Sequence, residues 1–500
     1  MRINLSKLVS LLAGTATVLG YFSGKATANS IFQENLPPGY QVNSGSLVVG
    51  QSCSCASFGL PGAPPPPPPC SETGTKDELC FGSSNTRYAW AYTNVAGING
   101  QECVEKQNED YTIGPCFQLD GDDAVVIYGK TPEQITYYSM TLYNSLSYSQ
   151  SLGDYAVTMA SINLDLNNRN LKTASSLPFN SNYAVIITSN TGTLKAVKNA
   201  LIKSGIPDKA INSYLFPAKY ANAATSANPE QLSFLFRLTT QTPQEKQRVN
   251  TFVEQTAPAT KVAFIKAPGT TGDVTDSSLK RWEDNLRTDT TEYQQQLDKK
   301  LDSLQANVVN YYQQQGYTLK YNLTEKMKHS EPIECITNFT SCAYDSPNAL
   351  YTTFPCDFSS FPITALGCGI RLEDGDFLML VGVDHTTVVT DPNKGLATYF
   401  SYESKGSVDG ETFSFVGLYT QGSANRFLSS TDAANLYAIR INPYSCGNDP
   451  YCVIAFSKGT PQDNPFFFIG RVYLDKVTAT GPNPANLIPA RLLWFTESDR

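Results

Sequence analysis

From residue 119 onward, short runs of β-branched and aromatic residues alternate with amphipathic stretches. Asp123–Tyr128, Thr136–Tyr143, Ala156–Leu164, Tyr183–Thr188, Ser233–Thr239 and Lys261–Ile265 carry the strand pattern. Between them, Leu194, Val197 and Leu201 form a helical stripe over 191–204, with Gly205 as its stop. Thr242-Pro243 opens a second helix, from about Gln244 to Gln255. Over 276–315, Leu279, Trp282, Leu286, Tyr293, Leu297, Leu301, Leu304 and Val308 recur at helical spacing, and Gly316 ends the run. The polar stretch Thr288-Asp289-Thr290-Thr291 marks a break in it. Strand patterns return at Asp376–Val383, Ala397–Glu403, Thr412–Tyr419, Leu436–Asn442, Pro465–Tyr473 and Arg491–Phe495.

The two strand-rich blocks share short matches in one order. An acidic turn ending at Asp123 precedes a strand closed by Gly129, as one ending at Asp376 precedes a strand closed by Gly382. Thr136-Tyr137-Tyr138-Ser139 is followed by its counterpart Thr398-Tyr399-Phe400-Ser401. Asn168-Arg169-Asn170-Leu171 matches Asn425-Arg426-Phe427-Leu428, and Tyr183-Ala184-Val185-Ile186 matches Tyr437-Ala438-Ile439-Arg440. Phe234-Leu235-Phe236-Arg237-Leu238 matches Phe468-Ile469-Gly470-Arg471-Val472. The expected architecture is α+β: two related strand-rich units, an internal duplication about a pseudo-two-fold axis, joined by a helical segment and preceded by a Cys-rich N-terminal region. The expected divisions are a leader at 1–28, a Cys- and Pro-rich region at 29–118, a first unit at 119–268, a helical connector at 269–330, a Cys-rich segment at 331–371 and a second, β-rich unit at 372–500. A seam between such units is a natural place for a ligand.

The opening residues change the compartment. Arg2 and Lys7 precede an apolar stretch from Leu8 to Phe22, and Ala26-Thr27-Ala28 supplies a small-x-small cleavage pattern. This is the layout of a secretory signal. Twelve cysteines then read as a disulfide framework in an exported chain. They fall into three even groups: six from Cys53 to Cys116, four from Cys335 to Cys368, and the pair Cys446 and Cys452. Pairing within groups determines only Cys446–Cys452. The front group leaves 15 connectivities open and the second leaves 3. Pro64 to Pro69 reads as a stiff polyproline spacer.

Only 16% of the 500 residues are charged and 41% are hydrophobic, so the chain buries large cores and is not a disordered one. The formal charge is −8, or −11 once a leader carrying Arg2, Lys7 and Lys25 is removed. An acidic surface without a basic run excludes nucleic acid and anionic membranes as partners. Asn322-Leu323-Thr324 and Asn338-Phe339-Thr340 are glycan acceptors in a eukaryotic secretory route.

Candidate chemistry is sparse. His385 follows an apolar strand and is the best single catalytic candidate, although adjacent Asp384 points to the other face and cannot orient it. His329 lies in the polar stretch Lys326–Ser330 and is expected in solvent. With two histidines, a multi-histidine metal site is excluded. Arg237 and Arg471 sit inside apolar strands, where a guanidinium needs a carboxylate or an anionic ligand. Asp123 and Asp376, or nearby acids, are the expected protein partners. The acidic turns offer weak calcium candidates in Asp120, Asp122, Asp374 and Asp376, and Asp165-Leu166-Asn167-Asn168 is weaker still. Neither a nucleophile elbow, a zinc-protease motif nor a phosphate-binding loop occurs, and no cofactor is implied. Two classes remain. One is a secreted, non-catalytic binding or surface protein whose tyrosines stack on a glycan or other extracellular ligand. The other is an extracellular hydrolase with its pocket at the seam near His385.

Overall fold

The structure is a computed structural model. It describes residues 33–48, 86–92, 116–163, 165–223, 225–269, 287, 291–329, 331–339, 342, 345–354, 370–387, 396–406, 410–455 and 466–498. The leader, the polyproline run, the front cysteines apart from Cys116, and helical positions 276–286 and 288–290 lie outside the described residues.

Among the described residues, ten strands before residue 267 make one sheet: β1 (Gln41–Val48), β2 (Thr86–Tyr92), β3 (Ala124–Lys130), β4 (Tyr137–Ser149), β5 (Asp154–Ser161), β6 (Leu166–Asn167), β7 (Asn182–Thr188), β8 (Ile211–Leu215), β9 (Gln231–Thr239) and β10 (Lys261–Lys266). Their order is β5-β4-β9-β2-β1-β10-β3-β7-β8, with β6 on β4. The later strands are β11 (Tyr317–Thr324), β12 (Lys326–His329), β13 (Ala349–Thr353), β14 (Phe377–Val383), β15 (Tyr399–Gly406), β16 (Gly410–Val416), β17 (Leu436–Asn442), β18 (Cys452–Ile454), β19 (Phe466–Tyr473) and β20 (Arg491–Glu497). They form two sheets, β11-β20-β14-β17-β18 and β12-β13-β19-β15-β16. The architecture is therefore a strand-rich α+β one.

Strand pairing runs in parallel through the two halves. The β10-β3-β7-β8 run and the β20-β14-β17-β18 run each have two antiparallel pairs and then a parallel one. The β2-β9-β4-β5 run and the β13-β19-β15-β16 run are antiparallel throughout. In the first half β1 bridges the two runs by pairing with both β10 and β2. In the second half that place is held by β11 and β12, split at Glu325.

Period-2 alternation decides the layers. In the first half, Val125, Ile127, Val185, Ile187 and Phe264 pack against Tyr138, Met140, Leu142, Phe234 and Phe236 from β4 and β9. The opposite face of β3 and β7, with Ala124, Val126, Ala184 and Ile186, takes helix α1 (Thr191–Lys203) through Val197, Ala200 and Leu201. Asn190 caps that helix by accepting from Thr193 N. Helix α2 (Pro243–Thr251) starts at a Thr242 cap and contributes Val249 to the inner core. In the second half, helix α3 (Thr291–Gln313) buries Leu297, Leu301, Leu304 and Val308 in the core that holds β14, β20 and the inward residues Phe400, Tyr402, Phe468 and Val472.

The structure departs from the sequence pattern in several places. β1 and β2 come from the Cys-rich N-terminal stretch yet sit in the middle of the first sheet. The expected strand over Thr412–Tyr419 ends at Val416, and Gly417–Thr420 turns into a helix. As expected, Cys446–Cys452 is a disulfide, and within the second group Cys335 pairs with Cys342. The first closes the loop between β17 and β18, where the other half has α1. The second staples the segment leading to β13 beside β5, with Cys342 N donating to Thr158 O at 2.7 Å. Among the described residues, no helix is long and apolar enough to cross a membrane.

Gly382 faces Tyr437 across the β14–β17 pair, as Gly129 faces Tyr183 across β3–β7. A Cβ on Gly382 would stand 2.3 Å from the Tyr437 hydroxyl and 2.5 Å from its ring carbon Cζ. The buried ring lies over the glycine and has nowhere to go. Gly382→Ala is expected to cost about 1–3 kcal/mol through overpacking, read as a lower midpoint of urea unfolding.

Candidate functional site

The outward faces of β4 and β9 meet the outward faces of β13, β15 and β19, and this seam is buried although much of it is polar. Tyr137, Ser139, Thr141 and Tyr143 alternate along β4 with the core residues Tyr138, Met140 and Leu142. Tyr351, Tyr399, Ser401, Glu403, Arg471 and Tyr473 alternate likewise with Leu350, Phe400, Tyr402 and Val472. Tyr137 and Tyr473 pack as tilted rings with centroids 5.0 Å apart, and the Tyr399 ring lies 5.6 Å from that of Tyr473.

Hydrogen bonds cross the seam in both directions. The Tyr143 hydroxyl donates to Asp345 O at 2.6 Å. Ser161 donates its N–H to Asp345 Oδ1 at 2.7 Å and its hydroxyl to Oδ2 at 2.6 Å. Asn348 Nδ2 donates to the Tyr137 hydroxyl at 3.0 Å and to Asp165 Oδ2 at 3.1 Å. Ser346 adds its hydroxyl to the same Asp165 oxygen at 3.1 Å. Asn167 Nδ2 reaches Ala479 O at 2.9 Å.

Both arginines singled out from the sequence lie at the seam in matching registers. Arg237 pairs along the backbone with Tyr88 and Ser139, and Arg471 with Tyr351 and Ser401. Their partners are not Asp123 and Asp376. Arg237 Nη2 donates to the Tyr143 hydroxyl at 3.0 Å, and Arg471 Nη1 is 2.6 Å from Glu403 Oε1. Asp123 binds Lys266 and Ala267 N, while Asp376 takes Trp494 Nε1 at 2.8 Å and faces Lys320 at 3.8 Å. These carboxylates stand at turns that start β3 and β14, one strand layer away from the arginines.

Burial governs the electrostatics. It pushes the Asp165 carboxyl up to about 7, against the opposing pull of Arg237. The Tyr137, Tyr143 and Tyr351 phenols are likewise held well above the usual phenol range. The seam thus keeps its hydroxyls neutral and available as donors.

The histidines sit elsewhere. His385 follows β14, and its Nε2 lies 3.3 Å from both the main-chain N and O of Ile488. The Asp384 carboxylate turns instead to Thr386, accepting from its N–H at 3.0 Å and its hydroxyl at 2.5 Å. His329 is buried, contrary to the solvated position expected of its polar neighbours. β12 exposes Lys326 and Lys328, while His329 points inward and meets Pro482 O at 2.8 Å. Burial lowers both imidazoles to about 4.

The acidic turns use their oxygens locally. Asp120 N donates to Asp123 Oδ2 at 3.3 Å and Glu373 N to Asp376 Oδ2 at 3.2 Å. Asp120 also binds Lys266, and Asp122 Oδ1 accepts from Asn190 at 2.9 Å. Asp374 is exposed at the tip of its turn. Among the described residues, no group of three or more His, Cys, Asp or Glu side chains could hold a metal ion. Sequence reasoning does not find Asp345, Ser346 and Asn348. Their signal is the turn Asp345-Ser346-Pro347-Asn348 just before a strand.

No family model and no curated protein matches the chain. Among solved structures, it resembles an uncharacterised protein from Burkholderia cenocepacia at 10% identity, with 84% of this chain and 79% of that one covered and a TM-score of 0.38. The VPA0106 protein from Vibrio parahaemolyticus is similar at 10% identity, with 75% and 87% covered and a TM-score of 0.36. Likeness at this level carries no functional argument.

Two neutral, buried imidazoles make a clear pH signature. Each has a folded pKa below its unfolded value of 6.5. Their contribution to stability is complete above pH 6.5 and is lost as pH falls toward 4, by on the order of 3 kcal/mol per ring at most. Proton NMR of the two Hε1 signals should show neither ring titrating between pH 8 and 5. An apparent pKa near 6.5 for either would place that ring in solvent.

Proposed function

We propose that the chain is an exported, disulfide-stabilised, non-catalytic binding or surface protein built from two copies of one module. The observation that carries this reading is the fate of its chemistry-bearing side chains. His385 and His329 are buried against main-chain groups of 488 and 482. Arg471 is engaged by Glu403, and Arg237 by Tyr143. A general base needs a proton-accepting nitrogen within reach of substrate, and a ring held neutral in the core does not offer one. This favours the binding reading over a hydrolase centred on His385.

The duplication rests on the repeated pairing order and on register. Tyr88, Arg237 and Ser139 recur as Tyr351, Arg471 and Ser401. The Gly129–Tyr183 pair recurs as Gly382–Tyr437. Export is supported by the 1–28 leader pattern and by disulfides that persist in an oxidising compartment. Among the described residues, Tyr311, Tyr419 and Tyr444 are 46%, 58% and 44% exposed and present ring surface on which a glycan or another extracellular ligand can stack.

Screening the full chain on a glycan array beside ester, glycoside and peptide substrates tests the reading. Retention without turnover is expected. Retention should fall severalfold on Tyr419→Ala or Tyr444→Ala and survive His385→Gln. Turnover abolished by His385→Gln in a folded protein would establish the hydrolase instead.

A further inference from the structure

Among the described residues, the seam buries three carboxylates, Asp165, Asp345 and Glu403, beside two guanidiniums, Arg237 and Arg471. Glu403 is matched by Arg471 at 2.6 Å. Asp345 receives the N–H and the hydroxyl of Ser161. Asp165 is held differently. Its Oδ2 accepts only from a neutral amide and a neutral hydroxyl, Asn348 and Ser346. Its Oδ1 is sealed from solvent without a well-formed hydrogen bond, the Thr141 hydroxyl being its polar neighbour. The charged and titratable groups that face it are Arg237 from β9, Tyr137 and Tyr143 from β4, Tyr214 from β8, and Asp345 from the second unit. One cation, Arg237, beside a second carboxylate and three phenols does not offset an ionised Asp165.

We propose that the seam is a proton-held joint: Asp165 carries a proton in the docked state, and its release as pH rises loosens the packing of the two units on each other. The proton turns Oδ1 from an unsatisfied acceptor into a donor beside Thr141 and leaves two carboxylates to two guanidiniums. Ionisation places a third negative charge where Asn348 and Ser346 clamp the first unit to the second. The direction of the Asp165 shift agrees. A carboxyl raised in the folded state binds its proton more tightly there than in the unfolded chain, so its contribution is full below its unfolded pKa near 3.8 and is lost as pH rises to about 7. The buried histidines act in the opposite sense, over pH 6.5 to 4, so the comparison has to isolate Asp165.

The test is urea unfolding of the full chain and of Asp165→Asn at half-unit steps from pH 5 to 8. Asn keeps the protonated shape and cannot ionise. The folding constant of the variant relative to the parent should climb by up to about tenfold per pH unit as far as pH ~7 and then level off. A ratio that stays flat or falls with pH overturns the proposal. Hydrogen exchange on the unmodified protein gives an answer even if the variant does not fold. After correction for intrinsic rates, amides of 137–143 and 349–353 should open more readily at pH 8 than at pH 6, while those of α1 and α3 should not. Equal protection of the seam at both pH values overturns the proposal as well.

Discussion

Charges buried between two sheets must be matched, and the organisation of this protein follows from that constraint at the seam. Each half closes an apolar core between two strand layers, so the inward residues of β4, β9, β15 and β19 need no partner beyond packing. The outward residues of the same strands are tyrosines, serines, an arginine in each half and a glutamate. Exposed, they would be an ordinary wet sheet face. Buried face to face, they require the ladder formed by Asp165, Asp345, Ser346 and Asn348. Those four residues lie on connecting segments, so loops add to the strand-to-strand pairs Arg237–Tyr143 and Arg471–Glu403 in satisfying the sheet faces.

The two halves differ away from the seam. In the first, β1 runs unbroken and fuses both layers into one sheet. In the second, the buried Glu325 interrupts the corresponding strand. Its carboxylate takes Tyr402 at 2.8 Å and Ala490 N at 2.8 Å, and its own N–H donates to Ala490 O. A carboxylate between two layers cannot be left unsatisfied, and meeting its bonds separates β11 from β12. On the outer side, α1 covers β7 and β8, whereas the crossover from β17 to β18 is a short loop closed by a disulfide. The disulfide supplies by covalent constraint what a helix supplies by packing.

The strands are legible as short apolar runs rich in β-branched and aromatic residues: Leu436–Asn442 matches its expected span, and Lys261–Ile265 is extended by one residue. The arginines stood out for the same reason, as charges in apolar runs, and both lie at the seam. The pattern does not disclose β1, β2 and β13, which lie in Cys-rich segments, nor β8, nor β11 and β12, which fall in the stretch 269–330 expected to be a helical connector. The histidines misled in a physical way. Rarity and an apolar flank single out an imidazole, but sequence does not tell a ring that borders a cavity from one that caps a main-chain carbonyl. His329 shows the converse: flanking lysines suggest solvent, yet period-2 alternation turns every other side chain inward. Pairings such as Tyr143 with Asp345, separated by 202 residues, depend on how the two halves meet and have no local signal.

The claim that polar seam contacts bind the two halves together is tested most directly by a double-mutant cycle across it. Ser161→Ala and Asp345→Asn, alone and combined, should each lower the urea midpoint. The double variant should lose about 1–3 kcal/mol less than the sum of the singles. Strict additivity would mean that the bond between Ser161 and Asp345 contributes nothing to docking, and would contradict a seam held together by its polar contacts.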